Sequence, residues 1–266
     1  MSDRMVNAPV YYALAQAQFS PVTAMTKYIE EIQDRLRRIG YPLFEAQPVT
    51  QLVVPAPGQA QQAEPQITHT ASWVITRGDR MAGFILGPTA ITYHATCYVT
   101  HKEFIPELMR GLAIVHEVAV LDHISRLGMR YLDAVLPAAG ETVERYLVDG
   151  LRGIPFATMP RYALTETVFG TETGPLIREG VLVARIYKVT ARLGFPPDLP
   201  LRGLVLDPRF DTPEALAHAI IDTDHYVEGR MPVDGDKLAE QLTSLHAALK
   251  GIFRAATTDH ARGVWA

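Results

Sequence analysis

The chain has 266 residues, 48% of them hydrophobic and 20% charged, with a formal net charge of −4. That balance suits a globular body with a sizeable core and supplies no overall positive field to hold nucleic acid. The single cysteine, Cys97, excludes an internal disulfide. With no cationic leader and no run of roughly 20 apolar residues, the expected setting is the cytoplasm, away from any membrane.

Val10 to Phe19 is expected to be a strand. Alternation puts Tyr12, Leu14, Gln16 and Gln18 on one face and Tyr11, Ala13, Ala15, Ala17 and Phe19 on the other, where a helix can lie. Ser20-Pro21 opens a helix in which Met25, Ile29, Ile32, Leu36 and Ile39 recur at helical spacing. Arg35, Arg37 and Arg38 complement its C-terminal dipole, and Gly40 then Pro42 end it. Phe44 to Val54 is a strand that Pro48 places at an edge or a bulge. Pro55 to Pro65, rich in proline and glutamine and without a large apolar residue, reads as a flexible hairpin connection.

Three strands follow, Gln66–Thr76, Met81–Leu86 and Ile91–Val99, with turns at Gly78-Asp79 and Gly87-Pro88, and they predict an antiparallel meander. Its threonine-rich face is expected to be solvated or to form a polar subunit contact. Thr100 and Glu103 form a capping-box pair before a helix with the stripe Phe104, Leu108, Leu112, Val115 and Ala119. Pro106 suggests that the regular helix begins there instead. Arg126 to Leu136, RLGMRYLDAVL, ends at Pro137 and reads as the strand that closes one sheet and hands the backbone to the next.

In the second half, Glu141–Leu151 reads as a short helix, and Tyr162–Phe169 and Val181–Thr190 as strands around a turn at Gly170–Gly174. Leu204–Leu206 and Ala219–Val227 are further strands. A last helix runs from Asp234 or Asp236 to about Ala256, with Leu238, Leu242, Leu245, Leu249 and Phe253 on one side. The expected fold class is α+β: antiparallel sheets with helices packed on one face, in two associated halves, 1–137 and 138–266.

No phosphate-binding loop, dinucleotide fingerprint, nucleophile elbow or zinc helix is present, so no residue is assigned a catalytic role. His94, Cys97 and His101 have a spacing that suggests a metal, but alternation along a strand separates the first two. A buried cysteine and a polar-face histidine is the plainer reading. In Asp222-Thr223-Asp224-His225, period two puts both carboxylates on one face about 7 Å apart. That pair, with His225, is the metal or acid–base candidate; the alternative is the solvated side of an edge strand. Tyr226 shares the acidic face and is placed to stack on a partner. Arg126 and Arg130 share a face and Asp133 lies on the other. Arg130, between Met129 and Tyr131, reads as an interior arginine paired across the sheet with Asp222 or Asp224. Lys27, Arg35, Arg37 and Arg38 are the nucleic-acid candidates on the first helix, weighed against an ordinary solvated face. The stripe Leu242, Leu245, Leu249, Ile252 and Phe253 of the last helix is core packing or a dimer seam. Trp265, close to the terminus, marks either a contact or a tail docked on its own body.

Taken together, NAPVYYALAQAQFSPV, RLGMRYLDAV, IIDTDHYVEG and LHAALKGIFRAATTDHA resemble, in order and spacing, a family of uncharacterised bacterial proteins of about this length. The resemblance runs across nearly the whole chain and implies no activity, cofactor or catalytic residue. The family's sporadic occurrence among genomes implies an accessory part in a mobile defence or toxin-control system. The expected function is therefore non-catalytic: a cytoplasmic protein without cofactor that binds a protein partner and forms a homodimer. A metal-dependent hydrolase using Asp222 and Asp224, and a nucleic-acid binder, are the alternatives.

Overall fold

The computed structural model describes residues 5–53, 66–154, 156 and 161–266, with the backbone course only for 48–53 and 66–70. The connection expected at Pro55–Pro65 lies outside the described residues, apart from its flanking strands. In chain order the elements are β1 (Val10–Phe19), α1 (Met25–Arg38), β2 (Leu43–Val53), β3 (Gln66–Thr76), β4 (Ala82–Leu86), β5 (Ala90–Ala95) and α2 (His101–Ala119). Then come β6 (Ile124–Val135), β7 (Tyr162–Glu172), β8 (Glu179–Ala191), β9 (Leu216–Met231), α3 (Gly235–Ala256) and α4 (Asp259–Trp265). The fold is mixed α+β. Its strands form one antiparallel nine-stranded sheet in the order β2-β3-β4-β5-β1-β6-β9-β8-β7. Among the described residues no helix is long and apolar enough to cross a membrane.

A single sheet replaces the expected succession of two. β6 does not close a sheet; it lies near the middle, paired with β1 on one side and β9 on the other. Every residue from Leu127 to Val135 is buried, as befits a strand with neighbours on both edges. Strand alternation explains what lies on the face that carries Met129. Ala13, Ala15, Ala17, Leu127, Met129 and Tyr131 share one hydrophobic cluster with Ile32 and Leu36 of α1, Leu108 and Leu112 of α2, and Leu242 and Leu245 of α3. Small alanines on β1 let the helices approach closely, and the periodic leucines fill the space between.

Alternation fails once on β1. A register shift between Val10 and Tyr12 lets Tyr11 and Tyr12 enter the same cluster, with Leu132, Leu204, Phe210 and Ile220. That cluster is closed by residues 192–215, the connection between β8 and β9. Leu204–Leu206, expected as a strand, instead forms part of this strap. Val205 donates to the Arg80 carbonyl (2.9 Å) and accepts from Thr96 Oγ1 (2.7 Å), without a ladder. Gly203 has φ +67°, and an added Cβ would sit 2.5 Å from Val74 Cγ1, so only glycine lets the strap lie this close. Thr76 and Thr96 are buried beneath it. Here the threonine face is neither solvated nor a subunit contact.

Three local readings change for local reasons. Thr100 pairs with Glu103 through its side chain (3.3 Å) rather than capping the backbone, and α2 starts at His101 with Pro106 inside it. Glu141–Leu151 forms two short 3-10 turns in place of a helix. β5 stops at Ala95, which leaves Cys97 exposed where a buried cysteine was expected.

The C-terminal tail adds α4, which periodicity did not suggest. Trp265 is buried against Tyr146 and Phe253, with ring centroids 5.9 and 5.7 Å away, and its carbonyl accepts from Asn7 N. The tail therefore docks on its own body. Thr258 caps this short helix, accepting from Ala261 N (3.2 Å) and donating to the Arg145 carbonyl (2.6 Å). Thr258→Ala is expected to cost about 1 kcal/mol in thermal unfolding. A melting temperature equal to that of wild type would show that the cap does not hold the tail.

Candidate functional site: the ion-paired face of the sheet

The face of β6 opposite Met129 carries Arg126, Gly128 and Arg130. Register sets their neighbours: Arg126 lies across from Glu228, Gly128 from Tyr226, Arg130 from Asp224 and Leu132 from Asp222. Further out, Asp222 faces Arg185 on β8, and Arg185 faces Glu166 on β7. Antiparallel pairing thus lines up Glu166, Arg185 and Asp222, and Arg130 reaches Asp222 diagonally from the neighbouring position on β6, which extends the row of alternating charge across four strands.

Arg130 is the anchor of this row. Its Nε and Nη2 donate to the two oxygens of Asp222, each at 2.7 Å, and its Nη1 donates to Asp198 at 2.6 Å. Asp222 is fully buried and the Arg130 side chain is 9% exposed, so this is an interior bidentate pair. Burial works against the charge of Arg130, but its hydrogen bonds to Asp222 and Asp198 outweigh burial and raise its pKa. Asp198, largely exposed at the strap, is held below the usual carboxylate range, chiefly by its hydrogen bond from Arg130. Arg185 reaches Glu166 at 2.5 Å and Asp222 at 3.8 Å.

A second set lies beside it. The Arg126 guanidinium sits 3.9 Å from the centre of the Tyr226 ring, with Asp224 at 3.7 Å and Glu228 at 3.6 Å. A Cβ on Gly128 would meet Tyr226 Cβ at 2.8 Å, so glycine makes room for this tyrosine. Tyr226 stacks under an arginine of its own chain. Burial pushes the Asp224 carboxyl up, against the pull of Arg126 and Arg130.

The proposed metal set is not brought together. Asp222 and Asp224 share a face, but both are spoken for by arginines, and His225 points to the Met129 side. There its Nδ1 donates to the Leu245 carbonyl (3.0 Å), which leaves Nε2 to accept from Thr171 Oγ1 (2.8 Å). Burial lowers the His225 pKa, against the pull of its bond to the Leu245 carbonyl. Nor is this the solvated side of an edge strand, because β9 lies between β6 and β8. Among the described residues, no group of three His, Cys, Asp or Glu is placed to hold a metal ion. His94 and His101 also part company. His94 is buried, bonded through Nδ1 to Tyr12 OH (2.9 Å) and pushed down to about 3 by desolvation, while His101 stacks on His246 at 4.1 Å.

On α1, Arg35 pairs with Glu31 (2.5 Å) and Glu117 (2.8 Å), and Arg37 and Arg38 both pair with Asp34. Lys27 is exposed nearby. The cationic run is therefore interleaved with carboxylates, which lowers the positive potential that a polyanion would meet. Arg185, Glu166 and Asp198 escaped the reading of the sequence. Arg185 had a faint signal, a charge that follows the apolar run Val181–Ala184 in a strand; Asp198, in a loop, had none. Compared with known proteins, the chain matches no protein-family model and no curated protein.

Proposed function

We propose that this is a non-catalytic interaction protein that forms a homodimer and binds a protein partner through the Arg130 face and its β7 edge. The observation that carries the reading is the surface of β7. Tyr162, Leu164 and Val168, all on the Arg130 face, are 57%, 46% and 60% exposed in a strand that, among the described residues, pairs with β8 alone. An edge strand with free backbone groups and apolar side chains is a ready template for pairing with another chain. Glu166 and Arg185 lie among those residues, and mixed charge of this kind suits a protein surface better than a nucleic acid. A second copy is the simplest occupant. Two antiparallel β7 strands related by a two-fold axis would join their sheets and bury both edges.

We further infer that the helices cover one face and that the chain consists of two associated halves meeting near Pro137. The order of the sheet supports the halves: the first supplies the contiguous block β2-β3-β4-β5-β1-β6 and the second the block β9-β8-β7, with the β6–β9 pairing as their seam. A cytoplasmic setting is supported by the lone, unpaired Cys97. An accessory part in a defence or toxin-control system is supported by the resemblance to sporadic bacterial proteins alone.

Size-exclusion chromatography with light scattering is the test. The expected result is a dimer at micromolar concentration and a monomer for Val168→Asp, with the melting temperature of the variant's subunit little changed because Val168 is exposed. A wild-type monomer under those conditions overturns the dimer.

A further inference from the structure

Between β6, the residues leading into α2, and the second half of α3 lies a cavity of about 350 Å³. Its floor is made by Asp133, Tyr131, Thr223 and Leu249, each 5% exposed or less. One wall is a hydrogen-bonded chain: Tyr98 OH lies 3.2 Å from Tyr131 OH, which lies 3.1 Å from His246 Nδ1. Lys102, Lys250 and Arg254 line the outer part, with Lys102 and Arg254 exposed to solvent.

The floor residue is the anomaly. Asp133 is 3% exposed, yet its carboxyl group makes no hydrogen bond or ion pair with a described residue. Buried carboxyl groups are ordinarily satisfied, as Asp222 is by Arg130 on the opposite face of the same sheet. An acid left without a partner at the bottom of a mostly apolar cavity weakens the fold, and it leaves a hydrogen-bonding group free to meet a ligand. The exposed Lys102 at the mouth adds a preference for negative charge at the outer end.

We propose that this cavity binds one small organic anion with an apolar body. Its inner, hydrogen-bonding end would meet Asp133 and Thr223, and its acidic group would lie at the rim beside Lys102. Burial pushes the Asp133 carboxyl up to about 8, so at neutral pH it is protonated and donates to a carbonyl or hydroxyl without repelling an anion. This inference is independent of the dimer, whose surface lies on the other side of the sheet.

The probe is anilinonaphthalene sulfonate, which has an apolar ring body and one acidic group, titrated into the full chain and followed by fluorescence. One saturable site per chain is expected. Thr223→Leu, which narrows the floor, should weaken binding about tenfold, and Lys102→Glu at the rim about threefold. Val168→Asp should leave binding unchanged, which separates this cavity from the exposed β7 surface. Lys102→Glu alters only an exposed side chain, so it decides the matter if Thr223→Leu does not fold. The proposal is overturned if wild type shows no saturable site. It is equally overturned if either folded cavity variant binds as wild type does, or if Val168→Asp abolishes binding.

Discussion

Arg130→Met is expected to be the most damaging single change on the sheet, costing about 3–5 kcal/mol because it strands the buried Asp222 carboxylate. For a chain of this size that corresponds to a fall in melting temperature of roughly 10 °C. Arg185 offers little relief. It is 3.8 Å from Asp222, already pairs with Glu166, and is partly exposed. Arg130→Lys should also fall well short of wild type, since an ammonium cannot reproduce the two parallel bonds of the guanidinium. The decisive comparison is the double variant Arg130→Met, Asp222→Leu, which removes both charges and should recover most of the loss. Calorimetry at pH 7 reads all three. If Arg130→Met costs less than about 1 kcal/mol, the pair belongs with ordinary surface ion pairs and the account of the sheet centre is wrong.

The second large effect depends on pH. The folded-state pKa of Asp133 is raised to about 8, by burial first and by the charge of Asp222 second. The unfolded chain releases that proton near pH 4. Between those values the folded protein holds one more proton than the unfolded one, so this residue makes stability fall as pH rises from about 4 to 8, and the loss levels off above. Asp133→Asn carries no such proton. Its unfolding free energy relative to wild type should therefore climb between pH 5 and pH 8.5, by an amount on the order of 4 kcal/mol, read as a rising difference in melting temperature. The difference between the two proteins cancels the other titrating groups that face this cavity, Tyr98, Tyr131, His101, His246, Lys102, Lys250 and Arg254. A difference that stays flat across that range would mean that Asp133 ionises normally.

Much of the secondary structure was readable from periodicity. Alternation over Val10–Phe19 and Gln66–Thr76 predicted strands with those bounds, and the leucine spacing after Asp234 predicted a helix that Asp234 caps through Lys237 N. Alternation also placed Arg126 and Arg130 on one face and Asp133 on the other. The failures share a cause. Leu204–Leu206 has the composition of a strand, but its carbonyl and amide partners, Thr96 and Arg80, lie more than a hundred residues away in the chain. The Glu141–Leu151 backbone is drawn away from helix by the end of α3, where Val148 N donates to the Ala256 carbonyl (3.1 Å) and the Tyr146 carbonyl accepts from Thr258 N (3.0 Å). Trp265 was ambiguous until Tyr146 and Phe253 were seen beside it.

Which side of a strand each residue occupies is a local property, written into the chain by the two-residue repeat of extended backbone. Which strands become neighbours is a property of the whole molecule, because it depends on how helices and connections cover a sheet assembled from distant segments. That is why the shared face of Arg126 and Arg130 could be read directly, while the choice of Asp222 over Asp224 as the partner of Arg130, the loop carboxylate Asp198 and the solitary Asp133 in its cavity emerged only on folding. Burial made the difference in each case, since a charge declares its role only when the groups that replace water around it are known.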